Sequence, residues 1–171
     1  MKLDIGCGTE PKGDVNCDLF KGITPHLIRN EPIVPKEIPN FIQCDVVHLP
    51  FPDHTFDVVN ASEVIEHLEN PILALREMKR VSKRLVTLDV PNLRRLTPED
   101  NRFHLYSWSD ETLHNLLTTL FKETSIAGAE YGSYLPRTLL RRRILGYFLK
   151  FIEGFLYRTF GPPYIKAICK V

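Results

Sequence analysis

Six residues near the amino end, Leu3-Asp4-Ile5-Gly6-Cys7-Gly8, restrict what this chain can fold into more than any other stretch. Leu3 and Ile5 mark a short buried strand, predicted over Lys2–Ile5. It runs into a turn at Gly6-Cys7-Gly8 too tight for large side chains. Glycine at positions 6 and 8 lets the backbone turn sharply and come close to a ligand. A second strand-like run, Val15–Leu19, carries Asp18 at its tip. An acid in that place after a glycine loop is the usual partner of ribose hydroxyls. Phe41–Cys44 is a third strand, followed by Asp45, and Thr55–Ala61 a fourth.

The rest of the chain alternates helix and strand. Ala61–Glu69 is predicted to begin a helix at the end of the fourth strand. Asn70 then caps a second helix with Pro71 at its first position, running to about Ser82 on Ile72, Leu75 and Met78. Arg84–Val90 is a fifth strand. Ser109 caps a helix over 110–120, with Asp110 and Glu111 in its first turn. Lys122–Tyr131 and Tyr164–Lys170 are the last two strands. This order predicts an α/β fold, a doubly wound seven-stranded sheet that is mostly parallel, with an antiparallel last strand at its edge. Only nine residues separate Gly8 from Asp18. A crossover helix normally fits between such strands, so the first one is expected to be missing or a single turn.

The 171 residues suit one domain, and a net charge of +1 gives no global pull toward nucleic acid or acidic partners. None of Cys7, Cys17, Cys44 and Cys169 forms a CxxC pair. A reduced, cytoplasmic setting is the simplest reading, and a cysteine zinc site is not expected. Met1-Lys2 leads straight into the first strand, so no signal peptide is expected. No run of about 18 uncharged apolar residues occurs, so no membrane span is expected either.

Residues 136–160 stand apart. They hold six basic residues and one acid, Glu153, a local charge of +5, beside a wide apolar face that includes Ile144, Phe148, Ile152 and Phe155. A helical insertion is expected there. It would serve as a lid on an acceptor pocket, as a homodimer or membrane-surface contact, or as core.

Taken together, LDIGCG, VNCDL, QCDVVHLPFPDHTFDVVNASEVIEHL and LREMKRV resemble the class I S-adenosylmethionine-dependent methyltransferases, and most of all their small generic archaeal and bacterial members. The resemblance spans residues 2 to 131. It implies a Rossmann-like sheet and S-adenosyl-L-methionine as cofactor. By resemblance, Asp4 and Gly6, Cys7 and Gly8 face the methionine part. Asp18, with Leu19 beside it, takes the ribose hydroxyls; Asp45 with Val46 holds the adenine; Asn60 and Ser62 border the sulfonium. The short first crossover and the missing PGG turn before the fifth strand depart from the family pattern. This cofactor has no pyrophosphate and needs no third glycine. Thr9 or Glu10 at that place therefore argues against NAD.

Methyl transfer to an activated carbon proceeds largely by proximity and orientation. A base is needed only where the acceptor must lose a proton. Glu63, Glu66, His67, His104 and Tyr106 stand near the expected mouth, and His67 and His104 are the candidate catalytic residues. Glu63, Glu66 and His67 are spaced i, i+3, i+4, one face of a helix. With His104 they are the candidate ligands should a divalent ion bind. EVIEHL and a later histidine resemble metal-binding positions of quinone-precursor and small-RNA methyltransferases. The string also occurs in members without metal, and a divalent metal is not expected. The function expected is methylation of a small-molecule or lipid-like acceptor. The alternatives are a cofactor-binding, non-catalytic partner protein, or a metal-assisted RNA 2′-O-methyltransferase. Arg141–Arg143 lack interleaved aromatics, so nucleic acid is not an expected partner.

Overall fold

The computed structural model describes residues 1–23, 32–92, 103–129 and 164–171. The chain forms the expected α/β, Rossmann-like sheet of seven strands. They are β1 (Lys2–Ile5), β2 (Val15–Asp18), β3 (Phe41–Gln43), β4 (Phe56–Ser62), β5 (Ser82–Pro91), β6 (Glu123–Ala129) and β7 (Tyr164–Lys170), in spatial order β3-β2-β1-β4-β5-β7-β6. Strands β1 to β5 pair in parallel, and β7 runs antiparallel to both β5 and β6. The antiparallel strand is therefore internal, which corrects the expected edge position; β6 is the edge. The reason is burial: Ile165, Ala167 and Cys169 are fully buried, and a strand sealed along one face takes a neighbour on each side.

Among the described residues two α-helices pack on this sheet. In α1 (Pro71–Val81) the Asn70 side chain accepts from the Leu73 N–H and Pro71 opens the helix, as expected. In α2 (Asp110–Leu120) Ser109 and Thr112 form a reciprocal capping box. Ala74, Leu75, Met78 and Val81 of α1 join Leu113 and Leu117 of α2 in one core. The Lys79 ammonium binds the carbonyl of Leu120, tying the end of one helix to the end of the other. Beneath them the register aligns Leu3, Val59, Val86 and Cys169, then Ile5, Ala61, Leu88 and Ala167, all buried. One residue over, the rows on the opposite face are polar: Asp4, Asn60 and Thr87, then Ser62, Asp89 and Lys166.

The expected loss of the first crossover helix has a structural substitute. Nine residues, 6–14, join β1 to β2, fewer than the dozen or so a parallel crossover takes. They lie against the sheet instead. Asp4 Oδ2 accepts from the Lys12 N–H at 2.9 Å. Asn16 accepts from the Gly13 N–H and donates to the carbonyls of Gly13 and Pro39. A Cβ on Gly13 would stand 2.5 Å from the Val15 carbonyl oxygen and 2.8 Å from the Asp4 nitrogen, so only glycine lets the loop lie this close.

A second correction concerns Ala61–Glu69. Strand β4 continues to Ser62 because the Glu63 N–H still donates to the Asp89 carbonyl of β5. Glu63 then turns with φ +56°, and only one 3-10 turn, Ile65–His67, follows before extended Leu68. The predicted helix is absent. Residues 136–160, and with them the expected insertion, lie outside the described residues. Among the described residues no helix is long and apolar enough to cross a membrane.

Candidate functional site

The chain reverses its direction of travel across the sheet between β1 and β4, the point where open α/β sheets bind ligands at the carboxyl ends of their strands. Four of the predicted segments meet there. Gly6 (φ +64°) and Gly8 (φ +51°) both take the left-handed backbone that a side chain disfavours. A Cβ on Gly6 would also lie 2.4 Å from a methyl of Val64, so the loop packs directly against the segment after β4. The Cys7 N–H bonds to the Cys17 carbonyl and extends the β1–β2 ladder one step into the turn. The Cys7 side chain points into a small apolar cluster with Ile33 and Ile38, and burial pushes its thiol up to about 12.

Asp18 caps this turn. One carboxylate oxygen accepts from the Gly8 N–H at 3.0 Å and the other from the Phe20 N–H at 2.9 Å. Each oxygen keeps a further acceptor site, so the carboxylate is both oriented and able to receive the donors of a diol. Leu19 and Phe20 are exposed beside it, and Gln43 of β3 donates to the Leu19 carbonyl. At the end of β3 the Asp45 side chain accepts from the Val47 N–H, closing an Asx turn. Val46 is buried in the main core, which leaves its backbone for any contact outside. The residues of this edge suit S-adenosylmethionine: a tight turn, an oriented acceptor for a diol, and no third glycine for a pyrophosphate.

Asp4 and Asn60 sit behind the turn. Asp4 is 3% exposed, and its second oxygen accepts from Asn60 Nδ2 at 2.7 Å. Asn60 Oδ1 in turn accepts from the Thr87 hydroxyl at 2.8 Å. These side chains bond one another across three strands and hold the loop from below. Ser62 faces Asp89 across β4 and β5, and Lys166 stands 3.7 Å from the other oxygen of Asp89. Asn16, Val64, Thr87 and Asp89 were not singled out from the sequence. For Asp89 a signal existed, an acid near the carboxyl end of an apolar strand; Val64 and Thr87 gave none, since each reads as ordinary strand or core.

A second cluster lies on the segment after β4. Ligand atoms of Glu66, His67 and His104 all fall within 4.8 Å of one another. The helical face predicted for Glu63, Glu66 and His67 does not exist, and Glu63 is not part of this group. His104 is brought in instead by backbone: the Leu105 and Tyr106 N–H groups both donate to the Glu66 carbonyl. Glu66 is 1% exposed, and burial raises its carboxyl to about 8, with Glu63 adding to the shift. Burial also holds the His104 imidazole below its usual range. The His67 Nδ1 lies 3.2 Å from the Phe103 carbonyl, and its ring meets that of His104 edge to face. Beside this cluster Tyr106 stacks on the buried Trp108. The two border a cleft of about 380 Å³ with Pro71, Ile72 and Leu116.

This fold and this edge define a class I S-adenosylmethionine-dependent methyltransferase domain. Residues 3–88 match the methyltransferase domain family model, just over half of the chain, and the chain belongs to that family. An uncharacterised methyltransferase of Schizosaccharomyces pombe is 36% identical over 98 residues, 47% of this chain and 35% of that protein. The ubiquinone/menaquinone biosynthesis C-methyltransferase UbiE of Cellvibrio japonicus is 44% identical over 52 residues, 29% of this chain and 21% of that one. The chain thus spans about a third or less of these curated relatives. Among solved structures, a SAM-dependent methyltransferase from Archaeoglobus fulgidus superposes with a TM-score of 0.65 at 19% identity, over 99% of this chain and 85% of that one.

Proposed function

We propose that this chain transfers a methyl group from S-adenosylmethionine to a small or lipid-like acceptor. The observation that carries this reading is the Asp18 carboxylate, held by two backbone N–H groups over the Gly6–Gly8 turn at the reversal point of the sheet. In this reading Asp18 receives the ribose hydroxyls, and the Asp45–Val46 backbone borders the adenine. Gly6, Cys7 and Gly8 admit the methionine part, with Ser62 nearest the sulfonium. Asp4 and Asn60 keep the loop in place from beneath. When bound, the cofactor supplies an electrophilic methyl group; the chain supplies position.

The acceptor side is assigned to the segment around His67 and His104. Ile72, Leu105 and Tyr106 are exposed apolar residues there, and Ile72 and Tyr106 border the apolar cleft. An apolar rim favours an acceptor with a lipid-like part, in keeping with the C-methyltransferase UbiE of Cellvibrio japonicus being named for ubiquinone and menaquinone biosynthesis.

Calorimetric titration tests the cofactor half. S-adenosylmethionine should bind, NAD should not, and Asp18→Ala should lower affinity about ten- to a hundredfold, the cost of about 1–3 kcal/mol for unmeeting buried polar groups. Unchanged affinity in that variant would place the ribose elsewhere. Turnover with apolar acceptors tests the other half: binding without turnover on any acceptor would favour a non-catalytic cofactor-binding role.

A further inference from the structure

Three of the four free cysteines, Cys7, Cys17 and Cys44, gather at the ligand edge, where methyl transfer calls on none of their thiols. Two of them meet across β2 and β3. Cys17 is in register with Ile42. Cys44 lies two residues past Ile42, which puts both cysteines on one side of the sheet. The Cys44 N–H donates to the Asp18 carbonyl at 3.1 Å and carries the pairing one step beyond β3. Cys17 is 1% exposed in the main core, and Cys44 packs against the same core while staying partly open to solvent.

Each of these two thiols is the other's hydrogen-bond partner. That bond holds the Cys44 thiol below its ordinary range, against burial and the Asp45 and Asp18 carboxylates. The same bond, with burial, pushes the Cys17 thiol far up. One sulfur is thus reachable and gives up its proton readily, and beside it stands a sealed sulfur that keeps its own. Cys7 is set apart: its thiol faces the Gly8 carbonyl at 3.7 Å and packs with Ile33 and Ile38.

We propose that Cys44 and Cys17 are an oxidation site, a dithiol that hydroperoxides close to a disulfide across β2 and β3 and that thereby loosens the hold on the cofactor. The Cys44 thiolate attacks one peroxide oxygen: an S–O bond forms, the O–O bond breaks, and the leaving oxygen takes a proton from water. The Cys17 sulfur then attacks the sulfenic sulfur of Cys44. The S–S bond forms, the S–O bond breaks, and the hydroxide leaves as water with the Cys17 proton. Two thiols and one hydroperoxide give one disulfide, one alcohol (water from hydrogen peroxide) and one water. Strands about 4.8 Å apart with a rise of about 3.3 Å per residue set residues offset by two about 8 Å apart. A disulfide holds its Cα atoms about 4.4–6.8 Å apart, so closure draws the two segments together. The fold permits this at Cys44, which stands past the end of a three-residue edge strand. Asp18 and Asp45 directly follow the two cysteines, so the movement is passed to both. The loss of cofactor affinity rests on the methyl-transfer reading; the disulfide does not.

The test uses the full chain, fully reduced, freed of reductant and treated with a small excess of hydrogen peroxide. Titratable thiols, counted after unfolding, should fall from four to two, and a dithiol reductant should restore them. Mass spectrometry of the unreduced digest should find the peptides of Cys17 and Cys44 linked. Cys44→Ser, at a partly exposed position, should abolish the link. Cys17→Ser should leave a sulfenic acid on Cys44 that a cyclic 1,3-diketone traps. S-adenosylmethionine affinity, read by calorimetry in the same samples, should fall on oxidation and return on reduction, and Cys44→Ser should lose this response. No disulfide, a link through Cys7 or Cys169, or a disulfide that leaves cofactor affinity unchanged would overturn the proposal. Absence of cofactor binding in the reduced chain would instead overturn the methyl-transfer reading, and the linked peptides would still support the dithiol.

Discussion

The two faces of the sheet differ by one residue per strand and by nearly everything else. Along Leu3, Val59, Val86 and Cys169 every side chain is fully buried in the core that α1 and α2 join. Along Asp4, Asn60, Thr87 and Ile168, the adjacent row, exposure rises from 3% at Asp4 to 42% at Ile168. The first face is built from burial of apolar area, the second from hydrogen bonds that the 6–14 loop closes over at the Asp4 end. Side-chain alternation along a strand makes this division possible. The same four strands thus hold the fold together with one face and hold the ligand loop in place with the other.

That contrast can be broken on its strong side first. Leu75→Ala removes a fully buried side chain from the helix-covered face and should cost about 2–5 kcal/mol, measured by denaturant unfolding. A cost below 1 kcal/mol would mean that α1 is not seated as described.

The hydrogen-bonded row comes next. Asn60→Ala strips a partner from both Asp4 and Thr87. It should destabilise by about 1–3 kcal/mol. Combined with Thr87→Val it should cost less than the sum of the two, because the residues act as one network. Strict additivity would show that the row is only a set of neighbours.

The smallest effect belongs to the open end of the same face. Lys166 is half exposed, and its 3.7 Å approach to Asp89 is that of a solvent-screened pair. Lys166→Ala should change stability by about 0.5 kcal/mol or less and lose even that at high salt. A loss as large as that of Asn60→Ala would show that this end is covered in solution.

Much of the site was legible in the residues. The glycine turn with Asp18 ten positions later pointed to the edge where the Gly8 N–H and the Asp18 carboxylate meet. Asn70-Pro71, and Ser109 before Asp110 and Glu111, placed the starts of both helices, because a cap acts within four residues and is written in the local string. What was not legible has a common cause. Whether EVIEHL is a helix depends on Asp89, which draws Glu63 into the ladder from 26 residues away. Whether Asp4 faces a ligand or props a loop depends on Asn60, 56 residues on.

The sequence by itself determined the element order, the helix caps, the tight turn at Gly6 and Gly8, and the alternation that divides each strand between two faces. These are properties of neighbouring residues and of the backbone they permit. Tertiary structure decided that β7 enters between β5 and β6, that Gly13 lays a loop where a helix would stand, and that His104 meets Glu66 and His67 while Glu63 does not. Each of those outcomes depends on which distant backbone N–H and C=O groups find one another. That pairing is settled only when the apolar faces have closed and buried polar groups must take the partners within reach.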